Sequence, residues 1–153
     1  MELCLVQHGL AKSAEEDPDR ALTAQGIEQT ELLAPVIEKI SGLGVVWHSG
    51  KKRAQQTAEI ILNNLDPKPE LRMVDGLAPN DDPHIIYKKV ETSRENILIV
   101  GHLPHLARLA ALVLGGDEDR LVVEIQNSGV LCLSNDSGPW RVRWYVVPWL
   151  LEG

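Results

Sequence analysis

Three features of the sequence predict an α/β protein of three layers, α/β/α, with a mostly parallel central sheet and an antiparallel edge. Short apolar runs alternate with helix-length segments through the first two thirds of the chain, the pattern of strands joined by crossover helices. Three of those runs stop abruptly at turn residues: Gln7-His8-Gly9, Ser49-Gly50 and Gly101-His102. The last third then changes to strand-like runs separated by a hairpin signal, which predicts antiparallel pairing at one side of the sheet.

The elements follow in order. Residues 3–6 (LCLV) form a short strand that ends at Gln7, and a charged loop fills the stretch up to Gly26. Residues 27–40 place Leu32, Leu33, Val36, Ile37 and Ile40 at helical spacing. Pro35 lies inside that pattern and predicts a kink or a split. Residues 44–49 read as a second strand, 51–64 as a second helix and 71–74 as a short extended run. A helix over 83–92 is opened by Pro83 after Asp82.

The run 96–100 (NILIV) is the clearest buried strand. After it the chain turns into a helix with Pro104 at its start and Gly115-Gly116 beyond its end. Runs 121–125, 130–133 and 140–147 are strand-like, and Asn135-Asp136-Ser137-Gly138 between the last two is a hairpin turn. Trp140, Trp144 and Trp149 are expected to pack at that edge.

Size and composition bound the function. The 153 residues suffice for one domain with a full core, expected to span 1–153. Apolar residues at 44% and charged residues at 24% exclude a largely disordered chain. Against 15 basic residues stand 22 acidic ones, a net charge of −7, so no nucleic-acid or anionic-membrane partner is expected. Cys4 and Cys132 both lie in apolar runs and are expected as buried thiols, with no disulfide framework. The first residues carry no basic leader, and no run approaches the ~18–20 apolar residues that span a bilayer. A cytoplasmic monomer is the expectation.

In open α/β sheets functional groups collect beyond the carboxyl ends of the strands. His8, Ser49 and His102 each follow a strand directly, and Arg53 lies in the first turn of the helix after Ser49. Parallel neighbouring strands would bring them to one rim. Two imidazoles, a guanidinium and helix N-termini suit a dianion: the N-termini offer unpaired N–H groups, and Arg53 offers a two-pronged fork. A neutral imidazole is able to attack phosphorus while the second stabilises the charge of the transition state. Taken singly, each histidine also fits an ordinary turn, and Arg53 beside Lys51 and Lys52 also fits a solvated basic patch. A metal is the competing use of His102 and His105, with His8 and His48 near. No Asp or Cys stands at ligand spacing to them, so neither a metal nor another cofactor is expected. His105 and His84 are expected at the surface or rim.

At these residues the sequence resembles the histidine phosphatase superfamily, which has the phosphoglycerate mutase-like fold, and within it the small SixA-type phosphohistidine phosphatases. Gln7-His8-Gly9 corresponds to the family's opening Arg-His-Gly. Ser49 followed by Arg53-Ala54-Gln55-Gln56-Thr57 matches its Ser and Arg-Ala-x-Gln-Thr, and Gly101-His102-Leu103-Pro104 matches the second histidine in its SixA form. Leu22-Thr23 with Gly26 extends the likeness. The resemblance implies that His8 carries the phosphoryl group, Arg53 binds it and His102 supports its transfer. Gln7, Gly9, Ser49 and Leu103 are expected to line the phosphate site.

The implied substrate is phosphohistidine on a protein, such as a two-component phosphotransfer domain, with a small phosphate ester as the alternative. The sequence departs from the family at Gln7, where most relatives have arginine. Glutamine donates hydrogen bonds without charge, a loss of ~1–2 kcal/mol, so a weakly active or purely phosphate-binding module is a further alternative. Lys12, Lys51 or Lys52 are the candidates to compensate. Asp75, Asp81 and Asp82 are the candidates for a proton donor in the place where many relatives carry an acid.

Overall fold

The computed structural model describes residues 1–153. Strand β1 (Glu2–Gln7) is followed by α1 (Ala24–Ile37), β2 (Leu43–His48), α2 (Lys52–Asn63), β3 (Glu70–Met73) and α3 (Pro83–Thr92). Then come β4 (Asn96–Gly101), α4 (His105–Gly115), β5 (Val130–Ser134), β6 (Arg141–Val146) and a 3₁₀ turn at Pro148–Leu150. One six-stranded sheet holds the strands in the order β3-β2-β4-β1-β5-β6. The first four of that order run parallel, whereas β5 is antiparallel to β1 and β6 to β5. The predicted layering is therefore present, with its antiparallel part at one edge.

Side chains that alternate along a strand point to opposite faces, and each face has its own core. Leu3, Leu5, Ile97 and Ile99 face Ile86 and Val90 of α3 and Leu106 and Leu109 of α4. Cys4, Val6, Leu98 and Val100 face Leu33 and Ile37 of α1 and Ala54, Ala58 and Ile61 of α2. Both cysteines are buried and free, and they sit opposite each other in the β1–β5 register. No helix is long and apolar enough to cross a membrane.

Three expectations need correction. Helix α1 occupies 24–37 rather than 27–40. Thr23 caps it by accepting the Gly26 N–H, and Pro35 falls in its last turn, where it shortens the helix without splitting it. Residues 121–125 form no strand. The Tyr145 hydroxyl donates to the Glu124 carbonyl and accepts from the Gln126 N–H, giving this irregular segment side-chain partners in place of a neighbouring strand. Trp149 lies beyond β6 in the 3₁₀ turn and is 58% exposed, unlike the partly buried Trp140 and Trp144 that pack on the two cores.

Candidate active site

The order β2-β4-β1 makes three parallel strands adjacent, so their carboxyl ends share a rim. Gln7 is level with Gly101, and His48 with Val100. The next residues along these strands are His8, His102 and Ser49, and the expected convergence is met. The His8 and His102 rings lie 5.1 Å apart between centroids and tilt by 52°.

His8 is held at both ends. Its backbone N–H donates to the Gly101 carbonyl at 3.0 Å, and its carbonyl accepts from the Asn127 side chain at 2.9 Å. The ring Nδ1 stands 2.7 Å from the Gly9 carbonyl. A carbonyl only accepts, so the proton belongs on Nδ1 and the lone pair on Nε2. Burial pushes the His8 pKa down to about 4, with the Gly9 carbonyl opposing and the charges of Arg53 and Arg20 reinforcing the shift. The ring is neutral at pH 7 with one nitrogen free, the state a nucleophile requires.

His102 is almost fully buried. Its Nε2 lies 2.6 Å from the Ser49 hydroxyl, which also accepts the Lys51 N–H at 3.3 Å. Burial drives its pKa down to about 3, assisted by His8, Arg53, Lys51 and His105. Arg53, in the first turn of α2, is half-buried, and its Nε finds no protein partner. Burial and then Arg20 lower its pKa. The charges acting on the two rings are cationic throughout.

The turn after β1 is fixed by close approach to α1. A Cβ on Gly26 would stand 2.2 Å from the Leu10 carbonyl oxygen, a distance only glycine avoids. The Gly9 N–H donates to Thr57 Oγ1 at 2.9 Å, and Thr57 donates in turn to the Arg53 carbonyl at 2.7 Å. The first histidine's loop is thereby tied to the helix that carries the arginine. Ser128 closes the third side, its N–H on the Gln7 carbonyl at 2.9 Å and its hydroxyl 2.9 Å from Thr30 Oγ1.

Gln7, half-buried, and Leu103, 36% exposed, line an open cleft of about 490 Å³ with Leu10, Asn127 and Trp149. Gly50 has a φ of +90° and donates its N–H to His48 Nδ1 at 3.1 Å, so His48 shapes the Ser49 turn. The three acidic candidates are occupied elsewhere. Asp81 accepts the Ala78 N–H at 3.0 Å, Asp82 caps α3, and exposed Asp75 lies in a separate cleft beside Arg72 and Lys89.

His84 is exposed, as expected, whereas His105 is completely buried. It begins α4, and burial lowers its pKa against the pull of Asp81. Sequence reading passed over Arg20 as one residue of a charged loop, yet its field reaches both His8 and Arg53. A basic residue spaced from Leu22-Thr23 was the available signal.

A parallel sheet with paired imidazoles and a guanidinium at one rim has the chemistry to hold a phosphoryl group. The family model of the histidine phosphatase superfamily (branch 1) matches residues 3–78, the stretch that carries His8, Ser49 and Arg53. Its fold is similar to the protein histidine phosphatase SixA complexed with tungstate, at 24% identity and a TM-score of 0.83, over 99% of this chain and 100% of that one. It is similar to the alpha-ribazole phosphatase of Shigella flexneri at 20% identity and a TM-score of 0.74, over 97% and 96% of the two chains. A phosphoserine phosphatase of Entamoeba histolytica in complex with 3-phosphoglyceric acid shares 16% identity with a TM-score of 0.69, over 94% and 95%. No curated protein matches the sequence significantly. At these identities the likeness establishes the phosphoglycerate mutase-like fold, and the three relatives differ in what they act on.

Proposed function

We propose that this chain hydrolyses phosphohistidine carried on a protein, through a phosphohistidine intermediate on His8. The observation that carries this reading is the neutral His8 ring, its Nε2 free and its Nδ1 committed to Gly9, set among cations with the nearby acids engaged elsewhere. In the first step Nε2 bonds to phosphorus as the donor's N–P bond breaks. The leaving imidazole departs with that electron pair and needs far less protonation than an alkoxide. Arg53 binds two phosphoryl oxygens with its fork. An entering dianion raises the His102 pKa, so that Nε2–H of His102 donates to a phosphoryl oxygen and stabilises the transition state. Water then attacks the phosphorus on His8 and releases phosphate, restoring the neutral ring.

A phosphotransfer protein is the partner this chemistry implies, in a cytoplasmic setting. Brief exposure of the chain to such a phosphorylated domain is expected to label His8, located by mass spectrometry, and to release phosphate. His8→Ala is expected to lower release by about 10³-fold or more; full activity in that variant overturns the nucleophile assignment.

The cleft of about 490 Å³ against Gln7 and Leu103 favours a second reading, a small phosphate ester whose alcohol lies there. A rate on one alcohol phosphate well above that on phosphohistidine would select it.

A further inference from the structure

Gln7 leaves the site one charge short of the family pattern. Of the lysines expected to compensate, Lys51 is felt at His102 alone, whereas Arg20 is felt at both His8 and Arg53. Arg20 lies in the loop between β1 and α1, half-buried, and forms no ion pair with any carboxylate. Its backbone has a φ of +51°, a left-handed conformation that costs a side-chain-bearing residue energy.

The loop is built to hold that conformation. Arg20 N–H donates to the Asp17 carbonyl at 2.9 Å. The Asp17 carboxylate accepts the N–H groups of Asp19 and Ala21, both at 3.0 Å. Lys12 N–H donates to the Ala21 carbonyl at 2.8 Å, and Leu22 N–H donates to Gln56 Oε1 on α2 at 2.8 Å. One helical turn before Gln56 stands Arg53. The Arg20 Nε donates to the Lys12 carbonyl at 3.1 Å, which fixes the plane of the guanidinium and leaves its terminal nitrogens free. The positive charge so placed is felt by both His8 and Arg53. Like charges gathered without a carboxylate repel one another, and an oxyanion among them removes the repulsion.

We infer that Arg20 supplies the second guanidinium of the phosphate site, donating from its terminal nitrogens to the oxyanion that Arg53 also grips and so carrying the charge that Gln7 lacks. The inference takes its ligand from the phosphoryl-transfer reading above, but phosphate binding alone tests it. Titration calorimetry with inorganic phosphate should find Arg20→Ala about 10- to 100-fold weaker than the unaltered chain, the effect of losing a charged hydrogen-bonding pair. Gln7→Arg should restore most of that affinity in the Arg20→Ala background and add about threefold or less alone, because two charges then serve one role.

Arg20→Gln carries the same expectation and keeps a donor for the Lys12 carbonyl, should the alanine variant not fold. Affinity within about twofold of the unaltered chain in a folded variant overturns the inference, as does an equal gain from Gln7→Arg in both backgrounds. A chain that binds phosphate through Arg20 yet never labels His8 sinks the enzymatic reading and leaves Arg20 in place.

Discussion

His102 and His105 stand one turn apart where β4 gives way to α4, both buried and both with depressed pKa values, yet carboxylates act on only one of them. His102 feels the charges of His8, Arg53 and Lys51; His105 feels Asp81 and Asp82, with Arg108 opposing them. Burial is the first cause of both shifts, so it does not distinguish a reacting ring from a packing one. Neighbours do. A cationic neighbourhood holds His102 neutral until an anion arrives and reverses the balance, whereas His105 is completely buried and already feels the carboxylates of Asp81 and Asp82.

The sharpest break in this comparison is a pair of substitutions. His102→Ala is expected to slow phosphate release by about 10²- to 10³-fold, the scale of losing one transition-state donor. His105→Ala should leave the rate within about threefold and lower the melting temperature, since it removes a ring with no exposed surface. Steady-state kinetics with thermal unfolding checks both, and equal losses of rate would end the distinction.

Acid titration is a smaller test. The His8 pKa lies near 4 and that of His102 near 3, both below the ordinary 6.5. The unfolded chain therefore takes up these protons first, so the stability they confer is complete above pH 6.5. It is lost progressively as pH falls toward 4 and 3. For His8 the full span is roughly 3 kcal/mol. Proton NMR should place both midpoints well below 6.5, and the urea midpoint should drop from pH 7 to pH 5 less steeply in His102→Asn. A His8 midpoint near 6.5 would contradict its burial. The smallest expected effect is that of Asp81→Asn, a change in rate of about twofold or less, because its carboxylate serves the Ala78 N–H. A tenfold fall there would make Asp81 a proton donor after all.

Much of this is legible in the amino-acid sequence. His8, Ser49 and His102 follow strands whose apolar runs are plain in the sequence, and the rule of strand ends placed them together. Arg53 followed because a helix start carried it. What failed to show depended on contacts between distant segments. Residues 121–125 read as an apolar, strand-like run, but Tyr145 bonds the Glu124 carbonyl and the Gln126 N–H, and no local pattern announces a distant hydroxyl. His105 read as a rim residue because polarity was weighed and the α4 core face was not. Arg20 was hidden for a related reason: its position depends on a left-handed turn organised by Asp17, which periodicity does not register.

Gly26 has a consequence for anyone rebuilding this scaffold. With no room for one carbon between it and the Leu10 carbonyl, the stretch after the first strand and the opening turn of the first helix behave as a single interlocked part. Loop grafts between relatives should therefore transplant both pieces together. A library that randomises position 26 should return the parental residue almost alone among its active members.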